Sequence, residues 1–173
     1  MGGRERVPMT ERASDTIRVA IVDHPLFREG VAATLSLEPD IDVVGEGSSA
    51  ADALELSKTL LPDILLLDIA MPGGGLAAAQ NVAASCPATK IVMLTFSEAK
   101  DDVLASLKAG ARGYILKGVA GLELKRHVRA IYAGEVYVTP SLTAMLQELA
   151  TEPSTANPLD SAVPRRSPRS LPS

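Results

Sequence analysis

Short apolar runs alternate along the chain with longer stretches in which apolar residues recur at helical spacing. Short runs without polar alternation are typical of strands that are buried on both faces of a parallel sheet. The second run contains Asp42, so we expect it to lie at an edge of the sheet. The runs that predict strands are residues 19–22, 41–44, 64–67, 91–94 and 114–116.

Helical stripes fill the segments between these runs, with apolar residues three or four positions apart. Ser48, Ser49 and Asp101 are suitable N-caps, and Gly110 and Gly134 are suitable C-terminal stops. Successive β-α units predict an α/β fold, a doubly wound five-stranded parallel sheet with helices on both faces. The stripes comprise Phe27, Val31 and Leu35; Ala50, Ala53, Leu54 and Leu61; the Ala-rich residues 75–84; Val103, Leu104 and Leu107; and Leu124, Val128 and Ile131.

The composition restricts the class of protein. Apolar residues make up 46% of the chain but aromatic residues only 3%, so the core must consist of Ala, Val, Leu and Ile. A net charge of −4 argues against non-specific nucleic-acid binding by the whole chain. Cys86 is the single cysteine of the sequence, which excludes an internal disulfide and a Cys-based metal cluster. No apolar run approaches the roughly 20 residues that span a bilayer. We therefore expect a soluble cytoplasmic protein with no membrane partner.

The ends of the chain differ in composition from its centre. Residues 1–15 read as a disordered leader, and residues 16–134 form the predicted domain. Residues 135–150 predict a short extended segment and one helix, the start of a linker. Residues 151–173 are rich in Pro, Ser and Arg, which predicts a disordered tail without a helix-turn-helix. We accordingly expect no DNA binding from this chain alone.

Polar residues stand where four of the predicted strands end. These residues are Asp23, Asp68, Thr95 and Lys117. Ligands of open α/β sheets bind outside the carboxyl ends of the strands, where these side chains should meet. Two carboxylates, a hydroxyl and an ammonium suit a divalent cation and a phosphoryl group. Each residue also has a purely structural interpretation. Asp23 and Asp68 are common types of turn or cap residue, and Thr95 is a common β-branched strand residue. The aliphatic part of Lys117 could simply cover apolar surface at the strand end.

Several motifs now resemble the receiver domain of bacterial two-component response regulators. The resemblance covers residues 16–150 and implies the flavodoxin-like receiver fold, with strand order 2-1-3-4-5. The closing segment Gly-Glu-Val-Tyr-Val-Thr-Pro is similar to the NarL/FixJ-type branch, whose family context is transcription regulation. The motifs are residues 23–30 (DHPLFREG), 68–73 (DIAMPG), 94–95 (LT), 109–117 (AGARGYILK) and 134–140 (GEVYVTP).

The resemblance implies a role for each residue of the predicted site. Asp68 would accept a phosphoryl group from a phosphohistidine on a sensor histidine kinase. Mg²⁺ would be held by Asp23, Asp68 and the backbone carbonyl of Ala70. Lys117 and Thr95 would each contact a phosphoryl oxygen.

The resemblance also implies a switch, formed by Thr95 and the aromatic residue Tyr114. Tyr114 also has a purely structural interpretation, since an amphipathic aromatic side chain is common at the rim of a sheet. Besides the kinase, a second copy of the chain is a candidate partner. The expected protein is a signalling switch with self-catalysed phosphoryl transfer and loss, and not a metabolic enzyme.

The chain departs from the family in its first motif. The family usually has two consecutive acids before His-Pro, whereas here Asp23 alone precedes His24 and Pro25. Because cation binding by oxygen ligands depends on ligand charge, we expect weaker Mg²⁺ affinity. This departure favours an alternative, a degenerate receiver that acts as an interaction module without phosphorylation. A hydrolase on a similar sheet is disfavoured because the sequence shows no further acid or base near Asp68. His24 and His127 need no function in this interpretation.

Overall fold

The computed structural model describes residues 16–151, which contain six strands and six helices. The predicted leader and all but the first residue of the predicted tail lie outside the described residues. The strands are β1 (Ile17–Val22), β2 (Ile41–Gly47), β3 (Ile64–Asp68), β4 (Lys90–Thr95), β5 (Gly113–Leu116) and β6 (Tyr137–Val138). The helices are α1 (Pro25–Ser36), α2 (Ala50–Leu60), α3 (Gly75–Ser85), α4 (Lys100–Lys108), α5 (Gly121–Tyr132) and α6 (Pro140–Thr151).

The strands form one parallel sheet in the order β2-β1-β3-β4-β5-β6. The predicted doubly wound α/β class is confirmed, and β2 with the exposed Asp42 is an edge strand as predicted. The sheet has a sixth strand, β6, where the sequence indicated only an extended segment. From β1 the chain moves outward to β2 and then back across to β3. This reversal opens a crevice at the carboxyl ends of β1 and β3.

Apolar residues on both faces of the sheet make the core. All five residues of β3 are buried, as are five of the six residues of β4, which explains the uninterrupted apolar runs 64–67 and 91–94 within them. One face packs against α1 and α5, whose predicted stripes supply Val31 and Leu35 and the trio Leu124, Val128 and Ile131. The strand residues of that face include Ile21, Leu66, Leu94 and Ile115.

The helix ends follow the predicted signals in part. The side chain of Ser49 caps α2 by accepting a hydrogen bond from the Asp52 amide at 3.1 Å. Gly110 and Gly134 follow helix ends with φ angles of 106° and 110°, a conformation that favours glycine. Leu61, predicted on the apolar stripe of α2, instead ends that helix at φ 48° and is 65% exposed.

The prediction of Asp101 as an N-cap is wrong. The N-cap of α4 is Ala99, and the helix begins at Lys100. The reason is a turn upstream, in which the Ala99 amide donates to the Ser97 hydroxyl oxygen at 3.1 Å. That hydroxyl in turn donates to the carboxylate of Asp102, so the turn begins the helix before Asp101 is reached.

The chain divides into two compact units between Val138 and Thr139. The first contains the sheet with α1 to α5, and the second contains α6. Within the described range, no helix is both long and apolar enough to cross a membrane.

Removal of one central side chain should measure the contribution of the sheet core. Leu66 has 0% exposure and lies on the middle strand of the sheet. We expect Leu66→Ala to lower the free energy of unfolding by about 2–5 kcal/mol in a urea titration, because a cavity remains. The control Leu37→Ala removes the same group from a side chain that is 75% exposed and should change stability by less than about 0.5 kcal/mol. Equal losses in the two variants would contradict this placement of the core.

Candidate functional site

The strand register brings the two predicted carboxylates to the same level. Val22 of β1 pairs with Leu67 of β3, so the next residues, Asp23 and Asp68, lie side by side at the switch point. Both are buried, with exposures of 1% and 3%. Side chains alternate between the faces of a sheet, and Asp68 follows Leu66 at a spacing of two. Asp68 therefore continues the row that faces α1 and α5.

Lys117 joins the two carboxylates. Thr95 of β4 pairs with Leu116 of β5, which places Lys117 just beyond the same sheet edge. Its ammonium Nζ lies 2.9 Å from Asp23 Oδ1 and 3.3 Å from Asp68 Oδ1. The ammonium also lies 4.5 Å from the ring centroid of Phe27 and 5.2 Å from that of Phe96. The predicted meeting of Asp23, Asp68 and Lys117 therefore occurs in this structure.

The second oxygen of each carboxylate remains without a hydrogen bond. Asp23 Oδ2 and Asp68 Oδ2 are buried and accept no hydrogen bond from the described part of the chain. Buried polar atoms normally have a partner, and carboxylate oxygens are the ligands that hard divalent cations prefer. Asp23, Asp68 and His24 each offer a ligand atom, and these atoms lie within 4.8 Å of one another. The residues present therefore fit a divalent cation.

His24 belongs to this site, although the sequence analysis assigned it no function. Its amide donates to Asp23 Oδ1 at 2.6 Å, and its imidazole Nε2 lies 3.6 Å from Asp68 Oδ2. The imidazole is 58% exposed and stands at the rim of the pocket. His24 is therefore a further base near Asp68, and the prediction that Asp68 has no such neighbour is wrong. The position of His24 directly after Asp23 was the feature of the sequence that could have placed it in the site.

The turn after β3 supports Asp68 through its backbone. Ala70, predicted to supply a carbonyl ligand, is exposed, and its amide lies 3.3 Å from Asp68 Oδ1. Gly75 begins α3 against the same turn, and its amide donates to the Ile69 carbonyl at 2.9 Å. A Cβ atom at Gly75 would lie 2.2 Å from the Asp68 carbonyl oxygen. The site consequently requires glycine at position 75, a constraint that the sequence analysis missed.

Thr95 and Tyr114 lie together on the other face of the sheet. The Tyr114 hydroxyl donates to the Ser97 carbonyl at 2.9 Å, and the Ser97 amide donates to Thr95 Oγ1 at 3.0 Å. Tyr114 has 0% exposure. Burial raises the pKa of its phenol, more than hydrogen bonds with Ser97 and Thr95 lower it. The two predicted switch residues are thus connected through Ser97, a residue that the sequence analysis did not single out.

Arg28 fixes the loops beside Asp23. Its Nη1 atom lies 2.6 Å from Ser48 Oγ, 3.0 Å from the Gly47 carbonyl oxygen and 3.4 Å from the Asp23 carbonyl oxygen. Its Nε atom contacts Glu46 at 3.1 Å. This side chain ties the end of β1 to the end of β2. The sequence did not predict this role of Arg28, because only the fold brings its backbone and side-chain partners together.

An apolar groove borders the pocket. It has a volume of about 570 Å³ and is lined by residues of α1 and of the ends of β4 and β5. Lys117 and His24 are its polar groups nearest the carboxylates. Leu26 and Phe96 line it and are 84% and 74% exposed. The site is therefore a buried carboxylate pair with a lysine and an open apolar flank.

These features define a class of protein, a doubly wound α/β domain with a carboxylate-lysine site at the switch point of its sheet. Residues 19–129 match the family of the response regulator receiver domain. The chain belongs to the response regulator receiver family.

Individual relatives agree with this assignment. The chain is 39% identical over 127 residues to the nitrate/nitrite response regulator protein NarL of Escherichia coli K12, covering 73% of this chain and 59% of that protein. Its fold is similar to that of a LuxR-family two-component response regulator from Aurantimonas sp. SI85-9A1, with a TM-score of 0.74, 31% identity, and coverage of 79% and 99%. The receiver domain of a NarL-type regulator from Mycobacterium tuberculosis gives a TM-score of 0.68, 38% identity, and coverage of 70% and 99%.

This chain spans about 59% of the length of its NarL relative from Escherichia coli. Receiver domains generally bind Mg²⁺ at an acidic pocket, and the buried carboxylates of Asp23 and Asp68 form such a pocket here. The family acts in signalling, as the sequence analysis expected.

A methyl group at position 75 tests the support of Asp68. We expect Gly75→Ala to lower the free energy of unfolding by about 1–3 kcal/mol, because the new Cβ overlaps the Asp68 carbonyl. The Asp68 amide resonance should also shift in NMR spectra. Gly118→Ala is the matched control, since a Cβ there meets nothing within 4 Å. Similar stability and spectra for both variants would refute the close approach.

The buried carboxylate of Asp23 makes stability depend on pH. Burial raises the pKa of Asp23 above its ordinary value of 3.8, more than the hydrogen bond from Lys117 lowers it. The folded state therefore holds this proton more tightly than the unfolded chain. Its contribution to stability is fully present below pH 3.8 and is lost as the pH rises through the folded-state pKa.

Asp23→Asn should accordingly be more stable than the wild type at neutral pH, because the amide carries no buried charge. The gain should shrink as the pH falls toward the ordinary pKa of the carboxyl. Urea titrations across this pH range, with a chelator present, measure the difference. Asp42→Asn, at an exposed position on β2, serves as the control. A gain of the same size at every pH would contradict the assignment.

Proposed function

We propose that the chain is a phosphoacceptor receiver and that Asp68 takes a phosphoryl group from a phosphohistidine of a sensor histidine kinase. The observation that carries this proposal is the state of the Asp68 carboxylate. Its Oδ1 lies 3.3 Å from the Lys117 ammonium, whereas its buried Oδ2 has no hydrogen-bond partner among the described residues. A buried carboxylate that is positioned by a lysine and keeps one oxygen free for a divalent cation is suited to attack phosphorus with its other oxygen.

Asp23, Asp68 and the Ala70 carbonyl would hold Mg²⁺. The two unpartnered Oδ2 atoms and the position of Ala70, two residues after Asp68, support this assignment. When bound, the cation supplies charge that offsets the negative charge of the transferring group. Val22 and His24 flank Asp23 and neither is acidic, so the pocket has one carboxylate fewer than the two-acid pattern. We expect weaker Mg²⁺ affinity for this reason.

Phosphoryl transfer would form one bond and break another. An oxygen of Asp68 attacks phosphorus, the nitrogen–phosphorus bond of the phosphohistidine breaks, and the imidazole leaves with its electron pair and takes up a proton. The product is an acyl phosphate on Asp68. Lys117 then pairs with a phosphoryl oxygen as a point charge, which requires it to loosen its contact with Asp68 Oδ1.

Thr95 and Tyr114 would report the modification. The hydroxyl of Thr95 donates to a phosphoryl oxygen and draws its loop toward Asp68. Because the Ser97 amide donates to Thr95 Oγ1 and the Ser97 carbonyl accepts from Tyr114, this movement strains both bonds together. Thr95 and Tyr114 are thus proposed as the switch, a local change that biases a two-state element.

The groove beside Lys117 supports the choice of partner. Response regulators interact with sensor histidine kinases, and an apolar groove suits the face of an amphipathic helix. Leu26 and Phe96 are exposed on this groove next to the pocket that holds Asp68. A kinase helix seated there would bring its phosphohistidine to the carboxylate. A second copy of the chain is the other proposed partner, and transcription regulation is the proposed context.

A phosphorylation-independent interaction module is the second candidate. The observation that favours it is the single acid, Asp23, combined with the contact of Lys117 to both carboxylates. In that case Lys117 would keep the pair neutralised, and the exposed groove would serve as the binding surface.

Intact mass spectrometry after incubation with Mg²⁺ and a small-molecule phosphodonor tests the proposal. We expect one phosphoryl adduct on the wild type and none on Asp68→Ala, because the variant lacks the carboxylate that is the proposed nucleophile. Asp101→Ala removes an exposed carboxylate on α4 and should retain the adduct.

Folding of each variant is checked by circular dichroism before the reaction. Absence of an adduct on the folded wild type would refute the receiver proposal and favour the interaction module. An adduct that persists in Asp68→Ala would refute the choice of nucleophile.

A further inference from the structure

We propose that His24 is a metal ligand, so that the pocket binds an imidazole-preferring transition ion such as Zn²⁺ or Co²⁺ more tightly than Mg²⁺. The inference deepens the proposed function and rests on the same pocket. Asp23 Oδ2, Asp68 Oδ2 and the His24 imidazole would be the protein ligands. The ligand atoms offered by these three residues lie within 4.8 Å of one another, so a small inward movement of a side chain would let one ion contact all three.

In both Asp23 and Asp68, one carboxylate oxygen is hydrogen-bonded or ion-paired and the other has no hydrogen bond from the described residues. Lys117 contacts Oδ1 of Asp23 and Oδ1 of Asp68, and the His24 amide also donates to Asp23 Oδ1. Both Oδ2 atoms are left without hydrogen bonds, on side chains that are only 1% and 3% exposed. A buried carboxylate oxygen without a partner is costly, and a metal ion would remove that cost at both atoms.

The His24 imidazole lies next to the unpartnered Oδ2 atom of Asp68. His24 Nε2 lies 3.6 Å from Asp68 Oδ2, and two ligands of one first-row ion, each bound at about 2.0–2.2 Å, are separated by roughly 3.0–3.6 Å. The side chain is 58% exposed, so a small rotation toward the carboxylates meets little packing resistance. His24 therefore needs only a minor adjustment to complete the ligand set.

The chemistry of the donors decides which ion is favoured. Mg²⁺ prefers oxygen ligands and a high ligand charge, and this pocket has lost one carboxylate and holds the Lys117 ammonium. Zn²⁺ and Co²⁺ bind imidazole readily and gain affinity from nitrogen ligands. A ligand set that contains the His24 nitrogen therefore favours Zn²⁺ and Co²⁺ over Mg²⁺.

Calorimetric titration of the untagged full chain with Mg²⁺, Zn²⁺ and Co²⁺ tests the inference. We expect Zn²⁺ to bind more tightly than Mg²⁺, and His24→Ala to lose at least about tenfold in Zn²⁺ affinity while Mg²⁺ affinity stays nearly unchanged. The visible absorption of bound Co²⁺, which reports nitrogen ligation, should change in the same variant. His127→Ala is the matched control, because His127 is the other histidine of the sequence and stacks on Tyr137 outside the pocket.

Equal Zn²⁺ affinity and Co²⁺ absorption in the wild type and in His24→Ala would overturn the inference, as would a loss confined to His127→Ala. The intact-mass experiment separates this inference from the proposed function. An adduct on the wild type together with unchanged Zn²⁺ affinity in His24→Ala overturns the inference alone. Loss of Zn²⁺ affinity in His24→Ala without any adduct on the wild type supports the inference and overturns phosphorylation.

Discussion

The contact of the Lys117 ammonium with two buried carboxylates is the interaction on which the site depends. Asp23 and Asp68 are adjacent because β1 and β3 are in register, and two buried anions this close would repel each other strongly without a cation. Lys117 supplies that cation and links the ends of β1, β3 and β5. Its ammonium is also shielded by the rings of Phe27 and Phe96. The apolar rings and the ion pairs together keep the charge cluster at the sheet edge.

The pleat of the sheet separates the site into two halves. Asp68 continues the side-chain row that faces α1 and α5, whereas Thr95 and Tyr114 belong to the opposite rows, since neighbouring residues of a strand alternate in direction. The backbone joins the halves, because the Lys117 amide donates to the Thr95 carbonyl at 2.8 Å. A change of charge at Asp68 can therefore alter the hydrogen bond of Tyr114 through a few neighbouring residues. This arrangement makes the proposed switch a property of one sheet edge.

Much of the fold was predictable because it depends on short-range patterns. Short apolar runs identified the five longer strands, and Asp42 within the second run identified an edge. The two-residue strand β6 was not predicted as a strand, since so short a segment has no periodicity of its own. The predicted start of α4 was wrong because Ser97 forms a turn with the Ala99 amide, and the helix begins after Ala99, before Asp101. The residues before α4 thus offered more than one possible helix start, and the contacts of Ser97 determined which one formed.

By itself the sequence determined the class of fold and the chemistry present at the strand ends, because apolar periodicity and the alternation of strands and helices along the chain follow from local residue types. The tertiary structure alone decided which atoms meet. Lys117 and Asp23 are 94 positions apart, and their contact depends on the register of three strands. The rotamers that this register allows bring His24 close to Asp68. They also determine that the Oδ2 atom of each carboxylate is the one without a hydrogen bond among the described residues. Side-chain direction at a sheet edge is set by packing from several elements, which no single stretch of sequence encodes.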